Sequence, residues 1–114
     1  MKLLVIGSRS VADFDLAPYI DDSVDLIISG GASGIDTLAE AFADKHKISK
    51  LIIYPQYKKY GRAAPIKRNH QMVDFADCVL AVWDGFSRGT ADTIQYAKKQ
   101  HKGITVLQVK KDEA

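Results

Sequence analysis

The chain predicts a three-layer α/β/α sandwich on a mainly parallel five-stranded sheet, and two observations lead there. Five short runs, "KLLVIG" (2–7), "DLIIS" (25–29), "KLIIY" (50–54), "DCVLAVW" (77–83) and "ITVLQV" (104–109), are apolar throughout. Strands covered on both faces read this way, whereas half-exposed strands alternate. Helical patterns separate the runs, and alternating strands and helices call for parallel strands joined by right-handed crossovers.

The first strand ends in "GSRS", and the segment 13–20 that follows predicts a short, weak helix. The second strand breaks into "SGGASG" before residues 35–46 place Ile35, Leu38, Ala39 and Phe42 on one helical face. After the third strand comes "PQYKKYGRAA" (55–64), a basic and aromatic connection. Long connections in compact domains are often functional. The helix at 65–76 opens on Pro65, a residue favoured in a first turn, and turns Ile66, Val73 and Ala76 inward, with Met72 assigned to packing. "DGFSRGT" follows the fourth strand, and residues 90–102 gather Ala91, Ile94 and Ala97 before closing on Lys98, Lys99, Lys102 and Gly103. Cations and a glycine suit a helix C-terminus. The whole predicts a single Rossmann-like domain over 1–110, strand order 3-2-1-4-5, with 111–114 as a C-terminal tail.

At 114 residues, 46% of them hydrophobic and 26% charged, the composition excludes a disordered chain and fits one globular domain. A domain this short buries only about two-thirds of its unfolded surface, so a homodimer is expected. The lone Cys78 excludes an internal disulfide, suits a reducing compartment, and reads as an inert core thiol in its strand. The apolar run in "MKLLVIGSRS" is too short for a signal peptide or membrane span. A cytoplasmic protein with no membrane partner is expected.

Net charge is +2 but uneven: between Lys45 and Val73 lie Lys45, Lys47, Lys50, Lys58, Lys59, Arg62, Lys67 and Arg68, with no Asp or Glu. This stretch reads either as a solvated face or as one that attracts phosphates or nucleic acid.

In such a sheet a ligand binds beyond the carboxyl ends of the strands, where the strand order reverses. Here that is between the first and fourth strands. A helix N-terminus offers unpaired N–H groups and a partial positive charge, and glycine lets an anion approach them. Two phosphate cradles follow, around Gly30, Gly31, Ser33 and Gly34 and around Ser87, Gly89 and Thr90, with Arg9 beside them. A turn as bare as Gly30-Gly31-Ala32-Ser33-Gly34 suggests a ligand close to the backbone. Asp36 reads either as an acceptor for a ribose hydroxyl or as a complement to the helix dipole. Ser8, Ser33 and Ser87 read as hydrogen-bond donors to phosphate. Neither a G-x-G-x-x-G nor the Gly-Lys-Ser/Thr end of a P-loop is present. His46, His70 and His101 are scattered and no Cys/His metal spacing exists, so no metal is expected.

"LIISGGASGIDTLAEAFA", "YKKYGRAAPIKRNHQM" and "VLAVWDGFSRGTADTIQYA" resemble the SLOG superfamily. This Rossmann-like group joins the Smf/DprA DNA-processing proteins to the LOG phosphoribohydrolases, and the likeness is nearest to its small YspA/YpsA-related branch. It runs from the Gly7-Ser8-Arg9 turn to the last strand. The resemblance implies a site for a nucleotide or nucleotide derivative, ADP-ribose and NAD-like molecules included. Gly7, Ser8 and Arg9 would border the ligand. Gly30, Gly31, Gly34 and Asp36 would form one cradle, Gly85, Gly89 and Thr90 the other, and Arg68 and Asn69 would reach in from the third helix.

The chain departs from the pattern in places. Tyr57 stands where the branch often has Trp, and Pro65 where it often has Gly. The LOG enzymes carry Pro-Gly-Gly-x-Gly-Thr-x-x-Glu, whose Glu serves N-glycosidic cleavage, and here Thr93 occupies that position. A neutral hydroxyl is no base near neutral pH, and Asp92, one residue off, lies about 100° round the helix. Asp36 and Asp84 are the carboxylates left to substitute. The leading expectation is a nucleotide-derivative binding domain, sensor-like or of unassigned activity. The alternatives are an N-glycosidic hydrolase, and a single-stranded nucleic-acid module stacking bases on Tyr54, Tyr57 and Tyr60 among the cations.

Overall fold

A computed structural model describes residues 1–109, so the expected boundary at 110 and the tail 111–114 lie outside the described residues. Strands β1 (Lys2–Gly7), β2 (Leu26–Ser29), β3 (Ser49–Ile52), β4 (Cys78–Trp83) and β5 (Gly103–Gln108) form one sheet in the order β3-β2-β1-β4-β5. Every pairing is parallel. The α/β class and the strand order are as the sequence predicts.

Successive side chains of a strand point to opposite faces, and the core divides accordingly. Leu3, Val5, Ile27, Leu80 and Val82 face helix α1 (Ile35–Lys45), meeting its Ile35, Ala39 and Ala43. Leu4, Ile6, Ile28, Val79 and Ala81 face the other way, onto Met72 and Val73 of α3 (Ala64–Phe75) and Ile94 and Ala97 of α4 (Arg88–Lys99). With Leu4, Val5, Ile27 and Ile28 at 0% exposure, truncating any one large side chain here to Ala costs about 2–5 kcal/mol.

The structure departs from the sequence reading at four points. Residues 13–20 form only a 3-10 turn at Ala17–Tyr19, started by Pro18 and by the Asp15 carboxylate accepting the Ala17 N–H at 3.0 Å; the chain leaves it extended at Ile20. Val11, Leu16, Ile20 and Val24 of this irregular segment complete the core on the α1 side. The connection after β3 contains α2 (Tyr57–Tyr60) and a 3-10 turn at Gly61–Ala63. Ile66, expected inward, is 45% exposed, because the buried stripe of α3 runs through Ala64, Arg68 and Met72. Cys78 is only half-buried, packed against the edge of the α1-side core at the start of β4 with its Sγ 3.5 Å from Met1 Sδ, and burial still pushes its thiol pKa up. Among the described residues no helix is long and apolar enough to cross a membrane.

Candidate functional site

The carboxyl ends of β1 and β4 are tied across the point where the strand order reverses. Ser8 donates its N–H to the Val82 carbonyl at 3.0 Å, and its hydroxyl accepts the Asp84 N–H at 3.0 Å. With Ser8 1% exposed, the sequence-predicted phosphate donor is spent as a brace.

The glycine-rich turn before α1 is likewise taken up by the chain itself. Gly34 has φ +75°, and a Cβ there would lie 2.6 Å from the Ser8 carbonyl and 2.7 Å from that of Arg9. The space beside Gly30 is filled by Arg68 Nη1 and Asp36 Oδ2, 2.8 and 3.0 Å from where a Cβ would stand. The Asp36 carboxylate accepts the Ala32 N–H at 3.1 Å. The bareness expected to serve a ligand is required first by close approach of the chain to itself.

The start of α4 is built differently. Asp84 Oδ1 accepts the N–H groups of Phe86 and Ser87, both at 2.8 Å, and Oδ2 accepts the Ser10 hydroxyl at 3.0 Å. Those hydrogen bonds hold its carboxyl below the usual carboxylate range. Ser87 is the N-cap residue but makes no side-chain cap bond, and the first backbone bond of the helix runs from Ala91 N–H to the Ser87 carbonyl at 3.1 Å. The N–H groups of Arg88, Gly89 and Thr90 therefore have no acceptor among the described residues, as a first helical turn leaves them. A Cβ at Gly89 would meet nothing within 4 Å.

Both helix starts face one cleft of about 360 Å³. Its walls come from the end of β1 (Gly7, Arg9, Ser10), the start of α1 (Ala32, Asp36), α3 (Arg68, Asn69) and the start of α4 (Asp84, Ser87, Gly89, Thr90, Thr93), and Met72 belongs to it as well as to the core. A second cleft of about 250 Å³ adjoins it, lined by Gly30, Gly31, Ser33, Tyr54, Pro55 and Tyr57, and shares Arg9, Ala32 and Arg68 with the first.

Arg68 is 7% exposed. Its Nη1 donates to the carbonyls of Gly30 and of Ile53, the latter at 3.1 Å, and its Nε donates to Asn69 Oδ1 at 2.7 Å. Nη2 has no hydrogen-bond partner among the described residues, and the side chain lines both clefts. Burial lowers its pKa and the neighbouring Asp36 raises it, and a guanidinium stays charged regardless. Asp36, also 7% exposed, has its pKa pushed up to about 6 by burial, against the hydrogen bond from Ala32 and the charge of Arg68.

Of the residues singled out from sequence, Gly7, Arg9, Asp36, Arg68, Asn69, Asp84, Ser87, Gly89 and Thr90 line the larger cleft, and Gly30, Gly31 and Ser33 the smaller. Three line neither: Ser8 is the brace, Gly34 packs on the Ser8 and Arg9 carbonyls, and Gly85 lies with φ +86° against the Gln108 side chain. Ser10 and Ala32 line the larger cleft without having been singled out, although both sit inside the quoted turns "GSRS" and "SGGASG". Thr93 lines it too, at 0% exposure, but its hydroxyl donates to the Gly89 carbonyl at 2.8 Å. His70 pairs with Asp92 at 2.8 Å and stacks on Tyr96 with ring centroids 3.9 Å apart, a contact between α3 and α4.

No family model matches the chain, and no solved structure matches it. Over 63 residues it is 36% identical to an uncharacterised SPβ prophage-derived protein, YoqJ, of Bacillus subtilis (strain 168). The match covers 53% of this chain and 33% of that protein, so the chain spans about a third of the length of the curated relative.

Proposed function

We propose that the larger cleft binds the phosphate of a nucleotide or nucleotide derivative, and that the domain serves as a binder or sensor of that molecule. One observation carries this: Gly89 and Thr90, whose amides are open, line the same cleft of about 360 Å³ as Arg9 and Arg68. Helix-terminal amides and a guanidinium are the groups that recognise phosphate, and the volume falls within the ~300–1,000 Å³ of small-molecule sites. Asp36 and Asn69 on the same walls supply partners for sugar hydroxyls. The resemblance to the SLOG superfamily supports the same reading. A cytoplasmic setting and a homodimer belong to it as well, the latter because a domain this short buries only about two-thirds of its unfolded surface; light scattering tests the dimer.

Thermal-shift measurements with AMP, ADP-ribose, NAD and cyclic nucleotides test the binding. A ligand at a hundred times its Kd stabilises by about 2.7 kcal/mol, a rise of several degrees. Gly89→Glu, whose side chain has room to enter the cleft, is expected to abolish the rise without lowering the unliganded melt. Absence of a rise with every phosphate-bearing compound rejects the proposal.

A second reading, cleavage of the N-glycosidic bond of a nucleotide, has its own observation. Asp36 lines the cleft with a pKa pushed up to about 6, where a carboxyl is useful as an acid or base near neutral pH. Incubation with AMP followed by chromatography tests it: free adenine from the wild-type protein and none from Asp36→Asn supports it, and no free base from either removes it.

A further inference from the structure

The smaller cleft differs from the larger in size and in chemistry. At about 250 Å³ it falls short of the ~300 Å³ at which small-molecule sites begin, so it works only as an extension of its neighbour. Two tyrosines supply its character, Tyr54 at 63% and Tyr57 at 58% exposure. Tyr54 is seated and does not trail into solvent: its Cε1 and Cδ1 lie 2.6 and 3.1 Å from where a Cβ at Gly31 would stand. Aromatic rings held at the mouth of a cleft and left uncovered are platforms for a flat, apolar partner. The junction between the clefts is cationic, formed by Arg9 and by Arg68, whose Nη2 has no hydrogen-bond partner among the described residues.

We infer that the two clefts form one bipartite site for a nucleoside diphosphate or its ester, with the base against Tyr54 and Tyr57 and the phosphates reaching from Arg9 and Arg68 to the start of α4. This rests on reading the larger cleft as a phosphate site, and it narrows the ligand class. Two separate anion-binding points, the arginine junction and the amides of Gly89 and Thr90, are filled by a pyrophosphate and only half filled by a monophosphate. The base is recognised by its face, so purines and pyrimidines both fit, with the larger purine surface favoured.

Isothermal titration at fixed ionic strength with four probes, inorganic pyrophosphate, AMP, ADP and ADP-ribose, tests this on the wild-type protein and on Tyr54→Ala, Tyr57→Ala and Gly89→Glu. Both tyrosines are exposed, so these variants are expected to melt as the wild type does. ADP and ADP-ribose are expected to bind more tightly than AMP. Each tyrosine variant weakens ADP and ADP-ribose by about 5- to 100-fold, the range of base stacking on an aromatic ring, and leaves pyrophosphate affinity unchanged, whereas Gly89→Glu weakens all four. ADP affinity within twofold of wild type in both tyrosine variants, with Gly89→Glu still defective, overturns the bipartite site and leaves the phosphate cleft standing. Failure of all four probes to bind overturns both.

Discussion

The two helix starts that face the cleft look alike in sequence, each a glycine-bearing turn after a strand, and they are packed in opposite ways. At α1 the glycines admit the protein's own atoms: the Ser8 and Arg9 carbonyls press on Gly34, and Arg68 and Asp36 fill the side of Gly30. At α4 nothing approaches Gly89 within 4 Å of a Cβ position, and the first-turn amides stay open. Glycine in a turn serves either a left-handed backbone or a close approach to the chain. Only the fold says whether what approaches is another strand end or a guest.

The largest effect expected from this contrast is at Gly34. An Ala there must hold φ +75° and force its Cβ to within 2.7 Å of two carbonyl oxygens, so Gly34→Ala is expected to cost about 3–5 kcal/mol in urea unfolding. A variant with wild-type stability would mean that the α1 turn is as open as the α4 turn.

A second test sets the two cleft carboxylates against each other, since Asp36 is pushed up to about 6 while hydrogen bonds hold Asp84 low. A carboxyl whose pKa is raised on folding favours the native state when protonated. Its contribution is fully present below the ordinary value of 3.8 and is lost as pH rises through about 6. From pH 5 to pH 7 the protein is expected to lose about 1 kcal/mol on this account, and Asp36→Asn to remove that part of the slope. A pH profile that Asp36→Asn leaves unchanged would place the carboxyl in water, as unconfined as the α4 turn.

The smallest effect belongs to Gly89→Ala. With helical backbone and empty space around the new methyl group, it is expected to stabilise the protein by about 0.5–1 kcal/mol. A loss of stability in chemical denaturation would show that the α4 start is packed after all.

Much of this architecture was legible in the chain. Continuous apolar runs are how doubly covered strands read, and they located all five strands to within a residue or two. The alternation with helices then calls for parallel pairing, and the Rossmann-like arrangement for the strand order. The turns at the strand ends mark the clefts, because the topology leaves little else at that edge. Ile66 was misread for a definite reason: the rule that apolar residues turn inward assumes that no charged residue claims the stripe. Arg68 claims it by bonding to Gly30 and Ile53, 38 and 15 residues away, and no local pattern announces such partners. The same distance effect hid the roles of Ser8 and Gly34, whose contacts lie across the sheet. For residues 13–20, the sequence pattern suggests a short helix, while Pro18 and the hydrogen bond from the Ala17 N–H to Asp15 support only one turn.

Arg68 is held by main-chain carbonyls and forms no salt bridge among the described residues. Asn69 Oδ1 is the one side-chain acceptor among its hydrogen-bond partners, and position 30 must stay glycine, because a Cβ there would stand 2.8 Å from Arg68 Nη1. The location of the positive charge is thus inherited from the path of the polypeptide, so that substitutions along the tyrosine rim leave the cation beneath in place.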